Sequence, residues 1–175
     1  YAKVWQRQQS FSVIIQTLGP LAGAAGILLW GSGYEAATVV PWWAAFLVLT
    51  ILGERLELAR VAFATSNVER RITTLSLATV IALITAQFVP NWGYPLLGLV
   101  LAALILDVAA HDLTKRLVHT TGLPRFMAAC MLGGYGWGLV AAGIWIIKGP
   151  VYSGYGYDTV VHAWTIGFAL SMVFA

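Results

Sequence analysis

Apolar residues run along this chain in long blocks, separated by short polar or glycine- and proline-rich breaks. Six blocks approach the roughly 20 residues that a helix needs to cross a hydrocarbon layer about 30 Å thick. They cover about 11–31, 37–58, 72–89, 94–115, 123–147 and 157–175. Turn signals bound each one: Gly31-Ser32-Gly33, Pro90-Asn91-Trp92-Gly93, Thr120-Thr121-Gly122 with Pro124, then Gly149-Pro150 and Ser153-Gly154. Glycine and proline end helices through the backbone shapes they adopt or forbid. Links this short make successive helices antiparallel neighbours, and Pro90 to Gly93 predicts a very tight hairpin. The pattern predicts an all-α, polytopic transmembrane bundle of about six spanning helices, forming one domain over 1–175.

Composition turns that pattern into a statement about solvent. Apolar residues make up 59% of the 175 and charged residues 10%. A soluble domain carries about 25% charged residues, so these few charges cannot cover a water-facing surface. The mean hydropathy of +0.80 agrees. The lipid bilayer is the expected first partner. The net charge of +3 does not point to nucleic acid, because the basic residues lie in short clusters between apolar blocks and not on one face. A single cysteine, Cys130, builds neither a disulfide framework nor a cysteine metal site. The first residue is Tyr1 and the last apolar block runs to Ala175, so the sequence is expected to be part of a longer chain.

Orientation follows from the loops. Lys3, Arg7, Arg55, Arg60, Arg70, Arg71, Lys115, Arg116 and Arg125 fall on one side of the expected bundle, and Lys148 alone on the other. That asymmetry marks the cytoplasmic face, with both chain ends inside. Trp30, Tyr34, Trp42, Trp43, Trp92, Tyr94, Trp145, Tyr152, Tyr155 and Tyr157 gather at the opposite interface, where amphipathic rings settle at headgroup depth. Gly19, Gly23 and Gly26, and then Gly134, Gly138 and Ala142, form small-residue stripes that let helix backbones approach. Packing is the first reading of both stripes. Room for a planar cofactor beside the fifth helix is the second.

Ionisable groups at membrane depth carry the candidate chemistry. Each costs at least about 2.5–3.5 kcal/mol to insert, so it needs a partner or a purpose. Glu54, Arg55, Glu57 and Arg60 sit near the inner end of the second block. They read as a helix end emerging with ordinary ion pairs, or as a charge network closing a cavity. Asp107 and His111 are four apart and share a helix face. Asp107 lies level with Arg55, so an Arg55–Asp107 contact is expected. The carboxylate suits a structural charge pair, or the orientation of a metal-binding imidazole. Asp158 opens the sixth block, where a helix N-terminus favours an anion. His162, a turn further in, is the leading candidate ligand for haem or a metal, against a packing role for a hydrogen-bonded imidazole. Cys130 with Met127 and Met131 offers sulfur suited to Cu(I), though core packing is the stronger reading. Phosphate-loop, HExxH and GxSxG patterns are absent from the sequence.

Gly53-Glu54-Arg55-Leu56-Glu57-Leu58-Ala59-Arg60 resembles NnrS-type bacterial membrane proteins. So do Tyr157-Asp158 with His162-Ala163, the run Gly167-Phe168-Ala169-Leu170-Ser171-Met172, and Leu123-Pro124-Arg125-Phe126. The resemblance covers most of the chain from the second block onward. It implies a bacterial inner-membrane protein of about twelve spans, of which this would be the C-terminal portion. It further implies a haem- and copper-containing protein linked to nitric oxide metabolism, with His162 and His111 as candidate ligands. The sequence departs from that expectation in having too few histidines for a full haem–copper centre. Three functions follow as expectations. The first is a haem- or copper-binding protein of respiratory or nitrogen-oxide metabolism. The second is a non-catalytic structural subunit among other membrane subunits of an energy-transducing complex. The third is a proton-coupled transporter using Glu54 and Asp107.

Overall fold

A computed structural model describes residues 11–58 and 66–175 of the chain. Helix α1 is Phe11–Gly31, α2 is Ala36–Leu58, α3 is Ser66–Phe88 and α4 is Pro90–His111. A single turn, α5 (Thr114–Leu117), leads to α6 (Leu123–Lys148). The last rod is continuous but not uniform: α7 (Gly154–His162) passes into a π-helical segment, Ala163–Leu170, and ends in α8, Ser171–Val173. Helices α1, α2, α3, α4 and α6 are long and apolar enough to cross a membrane. The protein is therefore an all-α, multi-pass membrane protein. The sixth expected span takes a mixed α–π–α form in place of one α-helix.

Apolar side chains occupy both the inside and the outside of the bundle. Leu49, Leu52, Leu101, Leu104 and Phe168 are buried, while Ile27, Ile81, Leu99, Val140 and Ile147 stand on the exterior. A helix that is apolar all round belongs in a hydrocarbon solvent. Helix α3 is the most polar of the five, yet it satisfies itself. The hydroxyls of Thr73, Ser76 and Thr79 donate to the carbonyls of Glu69, Ile72 and Leu75 one turn back, at 2.8–2.9 Å. These bonds leave no hydroxyl of the three unpaired in lipid.

Helices α1 and α2 pack as one antiparallel pair and α3 and α4 as another; α6 lies against both α4 and the last rod. The first glycine stripe is a packing surface. A Cβ on Gly19 would collide with Oγ1 of Thr50, one on Gly23 would meet Phe46, and one on Gly26 would meet Trp43. The second stripe is filled by side chains, which leaves no slot for a planar group there. A Cβ on Gly134 would meet Met172 at 3.0 Å, and one on Gly138 would meet Ile105 at 2.8 Å and Phe168 at 3.1 Å. Val89 alone links α3 to α4: the link is tight, but Pro90 to Gly93, expected to form the hairpin, are the first turn of α4, which starts four residues before its expected start and ends at His111. Proline at 90 starts α4 without a backbone donor to waste. Gly93 lies so close to α3 that a Cβ would overlap the backbone of Ala86. Helix α6 is bracketed by Gly122 (φ 71°) and Gly149 (φ 68°), left-handed positions that a side chain disfavours.

Candidate functional site

The arginine-rich end of the bundle is tied together by charge, but not by the single network that the sequence suggests. Asp107 does not meet Arg55. Its carboxylate is held by both Nε and Nη2 of Arg71, with the Nε–Oδ2 distance 2.8 Å. The correction has a local cause. Helix α3 starts at Ser66, six residues before its expected start, so Arg71 is inside the helix beside α4. The Arg71 side chain is 54% exposed. His111 closes the group, with Nδ1 2.8 Å from the Asp107 carbonyl and 3.5 Å from its Oδ1.

Arg55 does a different job. Its Nη2 donates to the Met172 carbonyl at 3.0 Å and its Nη1 faces Sδ of Met131 at 3.9 Å. That carbonyl also accepts the Ala175 N–H at 3.3 Å, so the guanidinium ties α2 to the last rod beside its own backbone bond. Sδ of Met131 also accepts from the Thr114 hydroxyl at 3.5 Å. Met131 is therefore engaged in this junction. Tyr135 of α6, buried to 3% exposure, donates its hydroxyl to Oδ2 of Asp112 at 2.5 Å, and Asp112 is itself 7% exposed. Glu57 accepts from Ser12 at 3.0 Å and Gln16 at 3.4 Å, joining α2 to α1. Glu54 points outward and has no side-chain partner among the described residues. Lys3, Arg7 and Arg60 lie outside the described residues. Sequence reasoning missed Arg71, Asp112 and Tyr135 as partners. The available signal for the last two was a tyrosine in an apolar helix, since a buried phenol requires an acceptor.

The opposite end is aromatic. Tyr94 meets Trp145 edge-on at 5.8 Å and Tyr152 at 6.0 Å; Trp145 lies 5.6 Å from Trp164, which lies 5.8 Å from Phe168. The Trp42 indole donates to Gln87 at 3.1 Å, joining α2 to α3. Charge ties and aromatic ties thus occupy opposite ends of the same helices.

Between them, on the flank of the last rod, lies an open groove of about 620 Å³. Trp137 of α6 forms one wall; Tyr155, Asp158, Thr159, His162 and Gly167 line the other. Gly167 permits the close fit, because a Cβ there would lie 2.5 Å from Cγ of Trp137. Asp158 and His162 are both exposed. Nδ1 of His162 is 2.6 Å from the Asp158 carbonyl. A carbonyl only accepts, so Nδ1 carries a proton in this bond, and Nε2 is the ring nitrogen that the bond leaves unused. In the neutral ring Nε2 is the nitrogen able to ligate. The π segment starts at the next residue, and such segments cluster at functional sites. His111 belongs to the charged end and His162 to the groove, so the two candidate ligands do not share a site. Among the described residues no three His, Cys, Asp or Glu side chains converge to hold a metal ion.

The sequence model of a domain of unknown function, DUF8744, matches residues 1–175, and the chain belongs to that family. No curated protein and no solved structure matches it.

Proposed function

We infer that this DUF8744 member is a bacterial inner-membrane protein, both ends cytoplasmic, that holds a haem-type cofactor in the groove beside the last rod and serves respiratory or nitrogen-oxide metabolism. The observation that carries the reading is His162: its Nδ1 is fixed by the Asp158 carbonyl and its ring borders the groove. An ion bound by side chains alone needs three or more of them, which the described residues do not bring together. A tetrapyrrole brings four nitrogens of its own and needs an axial imidazole. The donor set therefore favours haem over copper. The groove falls within the 300–1,000 Å³ of ordinary cofactor sites. Trp137 and Ile166 would exclude water from one face of a planar group, and the Asp158 carbonyl would hold the imidazole plane. When bound, such a group supplies one-electron chemistry.

The absorption spectrum of protein purified from haem-replete cells tests this. A Soret band is expected, and His162→Ala removes or shifts it. A protein without that band and without bound iron refutes the reading.

A second reading has its own observation. Asp158 and His162 are polar, exposed and within the last rod, and polar groups facing lipid are costly. A helix of a neighbouring subunit laid into the groove would cover them, which is the structural-subunit role. Co-purification of a partner lost on Trp137→Ala, with no pigment, distinguishes it from the first.

A further inference from the structure

A second groove lies at the aromatic end of the bundle, between α1 and α3. It holds about 340 Å³, within the range of small-molecule sites. Ala25, Leu28 and Leu29 line it from α1, and Ile84 and Phe88 from α3. Its polar groups sit at one end. Ser32 follows the last residue of α1, and Gln87 stands just before the last residue of α3. Ala25 lies two turns back along α1, about 10 Å from the level of Ser32. The groove is thus polar where the helices end and apolar along its length. Trp30 and Trp92, both exposed, flank the same helix ends. Exposed indoles of this kind settle at the headgroup boundary.

The Gln87 amide is oriented and half used. An indole only donates, so it is Oε1 of Gln87 that takes the Trp42 N–H, at 3.1 Å. On that side, toward Leu83, Ala86 and Tyr94, the helices leave no room for a guest. Nε2 keeps two donors and has no partner among the described residues. The described side-chain atoms that are both buried and unpaired are Thr50 Oγ1 and Trp164 Nε1, so the Gln87 nitrogen is reachable from outside the protein. An amide donor facing hydrocarbon is costly, and the position calls for an acceptor. The Ser32 hydroxyl already donates to the Leu28 carbonyl at 2.8 Å. A held water typically makes about three hydrogen bonds, more than this lining provides. No charged side chain lines the groove. Both α1 and α3 reach it with their carbonyl ends, which disfavour an anion. The acceptor that fits is therefore a neutral oxygen attached to an apolar chain.

We propose that this groove binds one chain of an ester-linked phospholipid, whose ester carbonyl accepts an N–H of Gln87 while the acyl chain lies along α1 and α3. Ester carbonyls stand where the hydrocarbon core meets the headgroup region, which is the level of Gln87. The site does not rest on the His162 groove or on any cofactor there. In the test, the full chain in detergent micelles is titrated with a diacyl phosphatidylcholine and with its dialkyl ether analogue. The analogue has the same headgroup and chain length but no carbonyl. Bound lipid is counted by native mass spectrometry. The ester lipid is expected to bind about five-fold tighter than the ether lipid. Gln87→Leu is expected to bring the ester lipid down to the level of the ether lipid and to leave the ether lipid unchanged. Ala25→Phe, which fills the groove, is expected to weaken both. The ester-to-ether ratio of the unaltered chain decides even where a variant does not fold. Equal binding of the two lipids, or a preference that persists in Gln87→Leu, would overturn the proposal. So would a second protein chain in the same spectra that Ala25→Phe releases, since a polypeptide helix would then fill the groove.

Discussion

Replacing Tyr135 with Phe removes one oxygen and nothing else from the junction between α6 and the end of α4. The ring stays, so no cavity term arises. What is lost is the 2.5 Å bond to Oδ2 of Asp112, at a site where the two residues are 3% and 7% exposed. Hydrogen bonds to charged groups contribute about 1.5–3 kcal/mol. Neutral side-chain bonds between membrane helices average only about 0.6 kcal/mol, because the unfolded chain in the membrane also finds partners. Both partners are enclosed, which places the expected loss above that average, at about 1.5–2 kcal/mol. The assay is reversible unfolding in mixed micelles with increasing denaturing detergent, run as a double-mutant cycle with Asp112→Asn. A coupling energy of at least about 1 kcal/mol is expected. A loss below about 0.5 kcal/mol for Tyr135→Phe would refute the reasoning, since it would equate this bond with an ordinary exposed one.

Three further outcomes are expected. Gly93→Ala places a methyl on the backbone of Ala86, which cannot rotate aside, so about 3 kcal/mol is lost; the same unfolding assay checks it, and a cost under about 1 kcal/mol contradicts the packing. Arg71→Gln breaks the Asp107 pair, but with the arginine 54% exposed the loss is held to about 0.5–1 kcal/mol and shrinks as salt is raised. On a Cys130→Ser background, a membrane-impermeant thiol reagent applied to intact cells is expected to label Tyr152→Cys and spare Arg125→Cys, as the cytoplasmic placement proposed for the arginine-rich end requires; the reverse pattern refutes that placement.

The hydrophobic blocks made the bundle legible because lipid imposes a length on each span. The ends of α1 and the tightness of the link before α4 followed from that length and from proline and glycine. Partners were less legible, since a charge at a helix end has several neighbours within reach. Level position alone favoured Arg55 for Asp107; the early start of α3 gave the place to Arg71. Asp112 was read near the end of the fourth block, 94–115; the helix stops at His111, which leaves it in a short link facing Tyr135. The π segment was not legible at all, because its sequence, Ala163 to Leu170, is as apolar as any α-helical span. His162 was singled out from its isolation in an apolar run, and the geometry adds its Nδ1 bond and the groove.

The π segment also acts as a phase adapter. A π turn carries one residue more between bonded groups than an α turn, and one residue corresponds to about 100° of rotation. Arg55 holds the rod on the far side of the π segment through the Met172 carbonyl, so the surplus is expressed on the side that carries His162. The azimuth of His162 in the groove that Trp137 walls is thereby set ten residues away. A shortening of 163–170 by one residue that restored plain α-helix would swing the imidazole off the groove, leaving every residue of the groove chemically intact.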